Sequence, residues 1–178
     1  MKKTLIGAIV GGLILFIWQF LSWAALNLHA SEQAYTPNQD AIMKVLDENL
    51  EPGQYFLPTV PPGTSAEAAQ EHMTNQAGKP WAQVFYHKSY NANMGMNMTR
   101  GVLVDIIAIW MLCWIILKMG SPNMQTIVLT SVFVGLIGFI SETYTNSIWF
   151  ENHVVTSMID AVVSYGLVGV WLGWWLRK

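Results

Sequence analysis

Apolar side chains fill four long stretches of this chain almost without interruption, at about 4–28, 101–119, 124–141 and 154–176. Polar side chains crowd instead into 30–99, and no charged residue falls between Lys3 and Glu32 or between Lys118 and Glu142. Each apolar stretch reaches the ~18 to 25 residues that a helix needs to cross ~30 Å of hydrocarbon. Lipid offers no water to bond the backbone, so a spanning segment must satisfy its own peptide groups, which a helix does. Four transmembrane helices are therefore predicted.

The polar stretch carries shorter patterns. Thr36-Pro37-Asn38 opens a helical run in which Ile42, Val45 and Leu46 share a face, and Glu51-Pro52-Gly53 closes it. Gln54-Tyr55-Phe56-Leu57 is β-prone and stops at Pro58. Ser65 is a good N-cap for a helix over Ala66 to Asn75, Gly78-Lys79-Pro80 breaks it, and a second β-prone run covers Trp81 to Tyr86. Asn91 to Asn97 reads as a polar hinge into the second span. The predicted fold class is an all-α membrane protein: four transmembrane helices with a small α+β extracytoplasmic cap between helices 1 and 2. Its divisions are 1–29 (transmembrane helix 1), 30–99 (cap) and 100–178 (transmembrane helices 2–4). A cap this small hardly buries a core of its own, so it is expected to rest on the membrane helices or on a partner.

Composition agrees with a bilayer. Charged residues are 11% of the chain, under half the share usual in soluble proteins. The net charge of −2 leaves no basic footprint, so nucleic acid is excluded as a partner. Cys113 is the only cysteine, which rules out an intrachain disulfide, and it sits in an apolar run where an inert packing role is expected. Lys2, Lys3, Lys118, Arg177 and Lys178 fall beside span ends on one side of the membrane if the spans alternate. Only Lys44, Lys79, Lys88 and Arg100 fall on the other, diluted among acids. Positive charge held close to the membrane marks the cytoplasmic side, so both termini are expected there. The first span is too long for the apolar core of a signal peptide and reads as an uncleaved anchor.

Small residues indicate how such helices meet, because lipid supplies no hydrophobic drive for association. Gly7, Ala8, Gly11 and Gly12 in the first span, and Gly166, Gly169 and Gly173 in the fourth, predict contact between those two helices near the cytoplasmic side. Ser131, Gly135 and Gly138 give the third span a narrow face. The stretch from Gly11 to Trp23, the run Gly53-Gln54-Tyr55-Phe56-Leu57-Pro58, the start Gly78-Lys79-Pro80-Trp81, and Asp160 ahead of a Gly- and Trp-rich tail also carry a likeness. On these the chain resembles a group of uncharacterised bacterial four-helix inner-membrane proteins with an extracytoplasmic insertion after the first helix. That resemblance implies the inner membrane of a bacterial envelope, with a periplasmic cap, and implies no activity.

Ionisable groups inside a span are expensive and are functional candidates by default. Asp105 lies about one turn below Arg100, Asp160 lies six residues into the fourth span, and Glu142 closes the third. With the predicted topology these acids share the outer leaflet with His29, His87 and His153, and Gln19 reaches the same level from the first span. One interpretation is structural: Arg100 neutralises Asp105, Asp160 bonds to Ser164, Gln19 or a tyrosine, and the layer glues helices in register. The other is a pocket for a cation, a proton or a small headgroup, and an acid without a partner would favour it. Met94, Met96 and Met98, with His72, Met73 and His87 on the same side, form a thioether and imidazole set suited to Cu(I), the one cofactor the residues suggest. In an extended chain these methionines would stand ~6.6 Å apart, too far for one ion without a turn. No G-x-S-x-G, H-E-x-x-H or phosphate loop is present. The expected role is a non-enzymatic accessory or binding subunit acting through its cap and polar layer, with the bilayer and a membrane protein or second copy as partners. The alternatives are cation, proton or copper handling, and an enzyme acting on a lipid headgroup.

Overall fold

The computed structural model describes residues 2–177, so Lys178, one of the cations used to orient the chain, lies outside them. The helices and strands in chain order are α1 (Lys2–Phe20), α2 (Gln39–Asn49), β1 (Gly53–Leu57), α3 (Ala66–Gln76), β2 (Ala82–Tyr86), α4 (Met94–Lys118), α5 (Met124–Gly138), α6 (Thr145–Phe150) and α7 (Val155–Leu176). They fall into two units, a helical bundle from 1–34 and 93–178 and a small mixed unit from 35–92.

Four helical runs in the bundle are long and apolar enough to cross a membrane: Lys2–Ala25, Met94–Lys118, Met124–Phe150 and Val155–Leu176. Two boundaries differ from the sequence pattern. The second run begins at Met94 and not at 101, because the Asn93 side chain accepts the Met96 N–H at 3.1 Å and caps the helix there. The expected hinge is thus mostly the first turn of α4. The third run continues beyond 141 through a π-helical turn, Phe139–Tyr144, into α6. Its polar side chains do not end the helix because they bond back to it: Ser141 Oγ donates to the Ile137 carbonyl at 2.6 Å and Thr145 Oγ1 to the Ile140 carbonyl at 2.9 Å. Glu151, with φ 53°, stops it in the left-handed conformation.

Helix α1 lies between α4 and α7, antiparallel to both, and α5 packs along the far side of α7. The expected contact between the first and fourth spans is present: Gly7 faces Leu172 and Trp175, and Gly11 faces Val168 and Trp171. Trp171 and Trp175 add indole N–H bonds to the Gly7 and Lys3 carbonyls at 3.1 and 2.8 Å. The glycines of the fourth span, however, mainly receive the third. A Cβ on Gly169 would lie 2.9 Å from Val128 Cα, and Gly173 holds Met124. Gly12 serves the α1–α4 contact, where an added Cβ would meet the Ile106 backbone at 2.7 Å. The apolar core gathers beside these glycines, from Leu15, Ile109, Leu112, Cys113, Ile116, Ile127, Val168 and Leu172.

In the smaller unit β1 and β2 pair antiparallel, from Gly53 opposite Tyr86 to Leu57 opposite Ala82. Ser65 caps α3 by accepting the Ala68 N–H, as its sequence position predicts. Tyr86 is the buried side chain among the described residues of this unit. Its hydroxyl donates to Asp47 Oδ1 at 2.5 Å, and that bond, with burial, holds the phenol up at about 12.

Candidate functional site

Two carboxylates stand inside the bundle, both level with residues 18–22, at the end where α1 finishes and α4 and α7 begin. Asp160 faces α1 from the second turn of α7. Its Oδ1 accepts the Trp18 indole N–H at 3.0 Å and the Ser22 hydroxyl at 2.7 Å, and its Oδ2 lies 2.8 Å from His29 Nε2. Local structure sets up all three partners. Trp18 and Ser22 continue the inward stripe of Gly11 and Leu15 at helical spacing. Ser22 already lies in a π-helical turn, Leu21–Ala25, where the Leu26 N–H reaches the Leu21 carbonyl at 2.7 Å. Asn27, with φ 50°, reverses the path and returns His29 over the end of the helix.

The His29 ring is 5% exposed and stacks flat on Trp23 at 3.9 Å between centroids. Its other nitrogen, Nδ1, lies 2.9 Å from Glu32 Oε2. An imidazole with a carboxylate at each nitrogen donates at both only when protonated. Burial by itself lowers its pKa, but the bonds and charges of Glu32 and Asp160 outweigh burial and raise it above the ordinary 6.5. The result is a compact chain, Glu32–His29–Asp160, with indole and hydroxyl donors on its inner oxygen.

Asp105 is built otherwise. It heads the inward stripe of α4 that continues through Ile109, Leu112 and Ile116, and it is 6% exposed. Oδ1 accepts one bond, from Gln19 Nε2 at 3.2 Å. Oδ2 is buried and has no hydrogen-bond partner. Arg100 forms no ion pair with it: the ion pairs among the described residues are His29 with Glu32 and with Asp160, Lys44 with Glu48, and Lys88 with Glu51. Arg100, Asp105, Gln19, Asn97, Gly101 and Val104 line one open groove of about 370 Å³.

Of the residues expected to share a polar layer, Gln19, His29, Arg100, Asp105 and Asp160 stand at this end of the bundle. The remaining three stay out of both networks. Glu142 is exposed on the π turn, because the third helix runs on past it and leaves it on an outer face. His153 is exposed in the link to α7, and His87 is exposed in the smaller unit. Asp160 does not use Ser164 as a carboxylate partner, since that hydroxyl donates to the Asp160 backbone carbonyl at 2.5 Å. Met94, Met96 and Met98 are helical rather than extended, so Met96 points away from the face that Met94 and Met98 share. Trp18, Ser22 and Glu32 are the partners that sequence reasoning missed. Continuing the Gly11–Leu15 stripe by helical spacing reaches the first two, whereas no spacing rule reaches Glu32, which is placed by the reversal at Asn27. The chain matches no known family model, no curated protein and no solved structure.

Proposed function

We propose that this chain is a non-enzymatic binding subunit of a bacterial inner membrane, with both termini cytoplasmic, the 35–92 unit periplasmic and the two carboxylates in the outer leaflet. Its binding site is the Asp105 groove, where it takes a cationic group that donates hydrogen bonds. The observation that carries this is Asp105 itself, a carboxylate that lines the groove and accepts one hydrogen bond, from Gln19 Nε2. A buried carboxylate short of donors forfeits about 1 to 3 kcal/mol or more, and a cationic ligand in the groove would supply them.

The buried histidine of this layer has both ring nitrogens committed to carboxylates, so it does not supply the base that an enzyme acting on headgroups would need. Equilibrium dialysis of the purified protein in detergent against dodecylammonium tests the binding reading. Wild type should retain the amine, and Asp105→Asn should weaken retention about tenfold or more, the size of one charge-assisted bond. Equal retention by both proteins would remove the proposal.

A further inference from the structure

The groove beside Asp105 holds a second charge that an ammonium group alone leaves unused. Arg100 lines the same groove with no carboxylate partner, so an acid and a base face one space without neutralising each other. Their Cα atoms are five residues apart along α4, about 7.5 Å of axial rise at 1.5 Å per residue. Asp105 lies on the inward face and Arg100 on the outer rim. A ligand satisfying both must carry a hydrogen-bond-donating cation deep in the groove and an anion nearer its mouth, a short link apart. Gln19 and Asn97 supply further amide donors and acceptors along the wall.

The surface next to the groove indicates where the rest of such a ligand goes. Arg100 begins a helix face that continues through Val104, Ile107, Met111 and Trp114, each at least half exposed. These lie on a helix long and apolar enough to cross a membrane. The charged groove therefore opens directly onto an apolar strip about four turns long, the profile of an amphiphile whose polar head enters the groove and whose chains lie along the helix.

We infer that the Asp105 groove binds the headgroup of an aminophospholipid, with the primary ammonium on Asp105 and the phosphate on Arg100, an inference that rests on the binding role proposed above. A primary ammonium offers three N–H donors to a carboxylate that otherwise accepts one bond, from Gln19. A trimethylated ammonium offers none, and a glycerol headgroup carries no charge to meet the carboxylate. Arg100 pairs with a phosphate oxygen at the rim, where guanidinium geometry suits it.

The test is native mass spectrometry of the full chain, delipidated in detergent and offered an equimolar mixture of phosphatidylethanolamine, phosphatidylcholine and phosphatidylglycerol. Wild type should retain phosphatidylethanolamine about tenfold over the other two, as one charge-assisted contact predicts. Asp105→Asn should abolish that preference. Arg100→Gln should reduce phosphatidylethanolamine binding by removing the phosphate's partner at the rim. Soluble phosphoethanolamine in large excess should fail to displace the lipid, and efficient displacement would identify a free zwitterion as the ligand and overturn the lipid assignment. Equal retention of the three lipids, or unchanged phosphatidylethanolamine binding by Arg100→Gln, would also overturn it. If dodecylammonium still depends on Asp105 in that case, the binding role survives without the lipid; if neither probe responds to Asp105→Asn, both fail.

Discussion

Asp160 and Asp105 sit at the same level of one bundle, packed against the same stretch of α1, yet their surroundings are opposite. Around Asp160 three donors converge from a helix, a π turn and the reversal after it, and the imidazole among them is anchored in turn by Glu32. Around Asp105 a single amide donates, one oxygen is orphaned, and the nearby guanidinium remains outside. A fully satisfied polar network rigidifies the structure that holds it, and an unsatisfied one is kept at a penalty. Burial alone therefore does not mark a functional acid. The count of donors on each carboxylate separates the fully bonded acid from the candidate site.

The widest gap between the two should appear on truncation. Asp160→Ala strands Trp18, Ser22 and His29 together and should cost about 3 kcal/mol, seen as a clear fall in thermal midpoint in detergent. A midpoint within error of wild type would erase the distinction. Gly12→Val forces α1 away from the Ile106 backbone and should cost about 2 kcal/mol. It should loosen the Gln19–Asp105 pair on the α4 side, so amine retention drops while the pH response of the Asp160 side persists.

That pH response has a definite sign. His29 has a raised pKa when folded, so its contribution is complete below the free value of 6.5 and is lost as pH rises through the raised value. Thermal midpoints taken from below 6.5 to well above it should fall for wild type, and His29→Gln should lack the step. A rise with pH would contradict a protonated ring between two acids. Smallest of all, Asp105→Asn without ligand should change stability by less than about 0.5 kcal/mol or raise it slightly, since it removes a buried charge and keeps the Gln19 bond. A large loss there would make Asp105 a clamp as well.

Much of this architecture was legible residue by residue. Long uncharged runs can be housed only as helices that bond internally, so four spans follow from local chemistry, and the Ser65 cap and two short strands follow from equally local signals. In-span acids were legible as candidates for the same reason, because a charge in an apolar run has to be explained. Where local signals misled, the neighbouring turn was responsible: Asn93 begins α4 earlier than its polar surroundings suggest, and back-bonding by Ser141 and Thr145 carries the third helix past Glu142.

Partnership was not legible, because it depends on the rotation and crossing of helices far apart in sequence. Trp18 and Asp160 are 142 residues apart, and Gln19 and Asp105 are 86 apart. Close approach at Gly11 and Gly12 decides which face of α1 meets α7 and which meets α4. That approach delivers adjacent residues, Trp18 and Gln19, to different acids on different helices. Composition and periodicity dictate that the acids lie among membrane-compatible helices; packing alone assigns three donors to one carboxylate and a single amide to the other.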